Sequence, residues 1–69
     1  MQVLVFKTNL TNTGCIRDVE PYLNIHPNIH RWNVDLHDCD NILRIETEQL
    51  PGNEVEKILI NAGYYCEEL

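Results

Sequence analysis

Sixty-nine residues with 5 basic and 11 acidic side chains, a formal charge of −6, have room for one hydrophobic core and are set against binding a phosphate backbone. Apolar residues make up 43% of the chain and charged residues 23%, the proportions of a globular domain, and no apolar run approaches the roughly 20 residues a membrane helix needs. Size and charge therefore point to a single domain over residues 1–69 with no nucleic-acid partner, no direct membrane insertion and no large catalytic cleft, and to a basic protein surface as the favoured partner.

The chain opens on a short apolar, partly β-branched run, Val3 to Phe6, which reads as a buried strand. No basic flank precedes it and no small-residue cleavage site follows, so no signal peptide is read and a cytoplasmic location is expected. A reducing compartment would keep Cys15, Cys39 and Cys66 as thiols, and three cysteines cannot all pair within one chain.

After the polar stretch Thr8 to Gly14, the apolar positions Ile16, Val19, Tyr22 and Leu23 recur at helical spacing from Cys15 to Leu23, with Thr13 as the expected cap. Pro21 removes the donor to residue 17, so this helix is expected to be shortened or kinked and to end near Asn24. Ile25-His26-Pro27-Asn28 is a connection, and Trp32, Val34 and Leu36 then alternate as a half-buried second strand. His37-Asp38-Cys39-Asp40-Asn41 has turn chemistry, and Leu43, Ile45 and Thr47 alternate with Arg44 and Glu46 beyond it, which makes a hairpin. Leu50-Pro51-Gly52-Asn53 punctuates the chain before a second helix, whose face is Val55, Ile58, Leu59 and Ala62 and whose stop is Gly63. Tyr64 to Leu69 reads as a fourth strand.

The order βαββαβ predicts an α+β ferredoxin-like sandwich, a four-stranded antiparallel sheet with two helices on one face and a core of Trp32, Val34, Leu43, Ile45 and the helix stripes. This topology gathers three loops at one end: the loop after strand one, the turn between strands two and three, and the connection into strand four.

A chain of this order and length, with a strand leading into a loop that ends in cysteine at the start of helix one, resembles the heavy-metal-associated domains of copper chaperones and metal-transporting ATPases. That family's loop reads Met-Thr-Cys-x-x-Cys, and here the stretch is Leu10-Thr11-Asn12-Thr13-Gly14-Cys15, so the Cys-x-x-Cys motif is degenerate. Ala62-Gly63-Tyr64 matches the family's Ala-Gly-aromatic segment. The resemblance implies that Cys15 holds the second metal-ligand position, that Asn12 stands in the first, and that Tyr64 lies near the loop.

Soft thiolates select Cu(I), and an amide oxygen does not replace one, so tight binding of Cu(I) or zinc within one chain is not expected. Cys15 keeps a position at a helix amino terminus, where a thiol pKa is lowered. Two arrangements would supply a second ligand: a homodimer sharing one ion between two Cys15 thiolates, or help from Cys39 or His37 at the same end. A Cys15 packed under its loop without a metal task is the plainer reading, and the domain is then a metal-free protein-interaction module. A metal-transport partner fits the first reading and a basic protein surface the second.

Other groups carry less. Pro27 separates His26 from His30, and Asp38 with Asp40 lacks the ligand count of a calcium loop. Cys66 reads as core and Cys39 as an exposed thiol. A redox role for Cys15 lacks a resolving cysteine, and no nucleophile with a base at recognisable spacing or phosphate loop is present, so no enzyme is expected.

Overall fold

Residues 1–69 are all described in a computed structural model. The elements are β1 (Gln2–Thr8), α1 (Thr13–Asn24), β2 (Ile29–Asp35), β3 (Ile42–Thr47), α2 (Gly52–Asn61) and β4 (Cys66–Glu68). The strands form one antiparallel sheet in the order β2-β3-β1-β4. This is the ferredoxin-like arrangement that the sequence predicts.

Register decides which side chains are inside. Leu4 lies opposite Ile45 and Phe6 opposite Leu43 across β1 and β3, while Val3 and Val5 pair with Glu46 and Arg44 on the outer face. Phe6, Leu43 and Ile45 are fully buried and meet Val19 and Leu23 of α1 and Val55 and Leu59 of α2. Each such side chain stabilises the fold by roughly 1.5–3 kcal/mol. Thr47, the polar member of this inner row, donates its hydroxyl to the carbonyl of Asn28.

Trp32 and Val34 are expected in the core but are only half-buried, packed against its margin, because β2 is an edge strand. The indole Nε1 of Trp32 donates to Asn24 Oδ1 at 2.8 Å and ties that edge to the end of α1. Leu36 falls in the turn beyond β2. Leu10 and Leu50, both in loops, take the core places instead.

The first helix begins two residues earlier than its apolar spacing indicates and runs through Pro21 to Asn24. Its cap is Asn12 and not Thr13. Asn12 is extended (φ −155, ψ 174) and its Oδ1 accepts from the Cys15 amide at 3.1 Å, which leaves Thr13 as the first helical residue. Gly14 gives that side chain room, since a Cβ there would come within 3.0 Å of Asn12 Oδ1.

The second helix stops as its sequence predicts. Gly63 adopts φ +91, the Gly63 amide donates to Ile60 at 2.9 Å and the Tyr64 amide to Leu59 at 2.8 Å, a Schellman closure. That closure delays the last strand: β4 starts at Cys66 rather than Tyr64. No helix is long and apolar enough to cross a membrane.

Candidate functional site

Backbone bonds lock three loops together at one end of the sheet. The Thr8 amide donates to the Asp40 carbonyl at 3.0 Å and its hydroxyl to the Asn41 carbonyl at 2.7 Å, joining the end of β1 to the β2–β3 turn. Asn41 sits at φ 48, a left-handed geometry that asparagine tolerates better than most residues, and this presents its carbonyl to Thr8. On the other side Asn9 and Tyr65 bond twice: the Asn9 amide donates to the Tyr65 carbonyl at 3.3 Å, and the Tyr65 amide to Asn9 Oδ1 at 2.9 Å. Leu10 is then driven wholly into the core, which anchors the loop that carries Asn12 and Cys15.

Cys15 is half-buried at the third position of α1, packed against the margin of the core. Its Sγ lies 4.0 Å from Thr11 Oγ1. The Tyr64 hydroxyl holds the Cys15 thiol below its ordinary pKa, helped by the backbone amides of Thr11 and Asn12 and opposed by partial desolvation.

Tyr64 itself bonds Asp18 Oδ2 at 2.6 Å, and that bond, with the nearby Cys15 sulfur second, pushes the phenol far above its usual range. The structure gives the hydroxyl proton to Asp18 Oδ2, and an ionised Cys15 beside it would compete with the carboxylate for the same donor. Sequence reading passes over Asp18, whose only signal is its place three residues after Cys15, one turn along the same helix face.

The remaining residues named from the sequence are placed as follows. Asn12 has its amide oxygen on the Cys15 N–H. Cys39 and His37 are exposed in the β2–β3 turn. Asp38, Cys39 and Asp40 bring their ligand atoms within 4.8 Å of one another, and neither Cys15 nor His37 belongs to that group. A turn bond occupies one of these carboxylates, Asp38 Oδ1 accepting from the Asp40 amide at 2.9 Å, and just before them Asp35 Oδ1 accepts from the His37 amide at 3.0 Å. Cys66 is buried in the core, where desolvation, with Glu56 second, raises its thiol to about 12.

Cys15 is the one thiol in its loop, and the group at the first ligand position is a hard oxygen already committed to the backbone.

No protein-family model matches the chain, and none of the curated proteins does. Solved structures match over all or nearly all of its length. The copper(I)-loaded first domain of the human copper chaperone for SOD1 superposes with a TM-score of 0.80 at 24% identity, covering 96% of this chain and 89% of that one. A chain of the Atx1–Cu(I)–Ccc2a complex superposes with a TM-score of 0.82 at 14% identity, covering 100% and 96%. The N-terminal domain of PacS from Synechocystis PCC6803 gives 0.81 at 13% identity, covering 100% and 98%. Likeness at these identities speaks for architecture and not for chemistry: this chain has the fold of the heavy-metal-associated domains.

Proposed function

We propose that this domain is a metal-handling docking module that offers one thiolate, Cys15, to a soft ion, Cu(I) or Zn(II), held jointly with a partner, and that it does not chelate such an ion alone. The observation that carries this reading is the 3.1 Å bond from the Cys15 amide to Asn12 Oδ1. It commits the side chain at the first ligand position to the helix cap and leaves Cys15 as the loop's single soft donor. Losing one of two thiolates removes several kcal/mol of affinity. The lowered pKa of Cys15 supports the donor role, because a thiolate is the ligand form. Support also comes from the fold's appearance in a complex of two proteins with Cu(I).

Charge points to the partner. The chain carries −6 overall, and exposed Asp18, Asp38 and Asp40 lie at or beside the same loop end. A basic surface carrying its own cysteine ligands complements that end, and docking between the two weakens as salt rises. The role is binding and transfer of an ion as cargo, not catalysis.

The second reading, a docking module with no metal, is favoured by the same committed Asn12. One experiment separates the two. The reduced protein is mixed with a Cu(I)-loaded Cys-x-x-Cys domain of basic charge, and complex formation is followed by gel filtration for the parent and Cys15→Ser. Complex formation that needs both Cu(I) and Cys15 is expected. A complex indifferent to both gives the place to metal-free docking, and no complex under any condition sinks both readings.

A further inference from the structure

The sheet has two edges of different character. At one, β4 is three residues long. At the other, β2 pairs with β3 on one side and with nothing on its far side, and its ladder is regular from Arg31 to Asp35, the irregularity being confined to the step between Ile29 and Arg31. A regular edge of five residues presents a row of unpaired amides and carbonyls, which is a template for another strand.

The side chains on that edge complement themselves. Trp32 and Val34 lie opposite the buried Ile45 and Leu43 and so share the inner face, while Arg31, Asn33 and Asp35 share the outer face. If a second β2 runs antiparallel with its two-fold axis at Asn33, Arg31 of each copy falls opposite Asp35 of the other. Trp32 then falls opposite Val34. Both are favourable cross-strand pairs, an opposite-charge pair and an aromatic with a β-branched residue, and symmetry makes each occur twice. Moving the axis to Trp32 sets Asp35 against Ile29, and moving it to Val34 sets Arg31 against His37. A one-residue slip puts inner side chains against outer ones.

The two charged groups are free to do this. The Arg31 side chain is 77% exposed, with Glu46 at 4.0 Å as its only ion-pair partner. Asp35 spends Oδ1 on the His37 amide and keeps Oδ2. Apolar surface is also at hand beside the edge: the Trp32–Asn24 bond fixes the end of α1 there, and Ile25, the next residue, is 81% exposed.

We propose that two copies of this chain associate through their β2 edges, antiparallel about a two-fold axis at Asn33, to form one continuous eight-stranded sheet with Arg31 of each copy opposite Asp35 of the other. The surface involved is small and both copies carry −6, so the association is weak and assembles at high concentration. Because paired strands run in opposite directions, the two Cys15 loops end up at opposite ends of the sheet. The assembly is therefore independent of the proposed metal role and differs from a dimer that shares an ion through Cys15.

Sedimentation equilibrium of the reduced protein from micromolar to millimolar concentration, with a metal chelator present, tests this directly. The apparent mass is expected to rise toward that of two chains, with a concentration-dependent change in the fluorescence of the single tryptophan, and Cys15→Ser is expected to behave as the parent does. Arg31→Asp and Asp35→Arg are each expected to remain single chains when alone. Mixed in equal amounts, they are expected to associate, since every facing charge pair is then opposite in sign. Amide exchange on the parent gives a reading that needs no variant: the outward amides between Arg31 and Asp35 slow with concentration and those of β4 do not. A parent that stays a single chain throughout, a charge reversal that self-associates as well as the parent, a folded mixture that stays apart, or equal exchange at both edges overturns the proposal.

Discussion

Replacing Asn12 separates its two tasks, helix cap and vacant ligand position, and each has its own expected size. The Asn12 Oδ1 bond to the Cys15 amide at 3.1 Å is exposed, so its loss belongs in the middle of the range for caps, about 1 kcal/mol. In a domain of this length that lowers Tm by about 4–8 °C. Asn12→Ala and metal-free Asn12→Cys are expected to fall by that amount together, and Asn12→Asp, which can still accept from the Cys15 amide, is expected to match the parent. With Cu(I), Asn12→Cys gains what the others lack, because an ion at a thousand times its dissociation constant stabilises a folded state by about 4 kcal/mol, more than the cap is worth. Thermal melts followed by far-UV circular dichroism, with and without Cu(I), read both effects. If Asn12→Ala melts with the parent, or if Asn12→Asp falls as far as Asn12→Ala, Asn12 is not the cap and the reason given for its presence fails.

Four further outcomes follow from the geometry. Gly63→Ala forces an L side chain into φ +91 although nothing lies within 4 Å of the added methyl, so it is expected to destabilise by about 1–2 kcal/mol in urea titration through backbone strain alone. Gly52→Ala meets only the mobile end of the Glu68 side chain and is expected to change stability by less than about 0.5 kcal/mol. Removing the donor in Tyr64→Phe raises the Cys15 pKa and slows its reaction with a thiol probe at neutral pH, whereas Asp18→Asn releases that donor to the thiolate and has the opposite sign; thiolate absorbance against pH distinguishes them. The buried Cys66 thiol ionises at about 12 when folded and well below that when unfolded, so its contribution to stability is full below the unfolded pKa and is lost as pH rises toward the folded one. Cys66→Val is expected to flatten the fall in alkaline stability across that window, and an unchanged slope would count against burial as its cause.

The elements that were legible in the sequence are those in which local pattern and tertiary burial agree. Leu43, Ile45 and Thr47 alternate in the sequence and are all fully buried, and Val55 with Leu59 marks both the apolar stripe of α2 and its packed face. Gly63 ends that helix for the conformational reason its sequence position suggests. Disagreements arise where neighbours compete for one role. Asn12 and Thr13 are both capable caps, and only the extended backbone at Asn12 selects between them. Tyr64 and Tyr65 have strand-like side chains, but their amides are spent on Leu59 and Asn9, so the ladder of β4 waits until Cys66. Trp32 and Val34 alternate as core residues do, yet an edge strand has a neighbour on one side only and leaves them half-covered. Leu10 gives no periodic signal because it stands alone among polar residues, and its burial comes from the loop interlock around it.

The candidate site was half legible. The matching segments mark Cys15, Asn12 and Tyr64 as positions, and nothing in the spacing shows that Asn12 serves the backbone or that Tyr64 gives its proton to Asp18. The Tyr64–Asp18 contact joins residues 46 apart in the chain, which no local pattern encodes, whereas the Asn12 cap is local and was hidden by Thr13, an equally capable neighbour.

Competition for Cu(I) between the reduced domain and a chromophoric chelator tests the central claim most directly, with Cys15→Ser and Asn12→Cys measured beside the parent. The account predicts that parent and Cys15→Ser leave the chelator loaded, while Asn12→Cys withdraws one ion per chain. A parent that withdraws one ion per chain while remaining monomeric would contradict it, because Cys15 would then have a second ligand within its own chain.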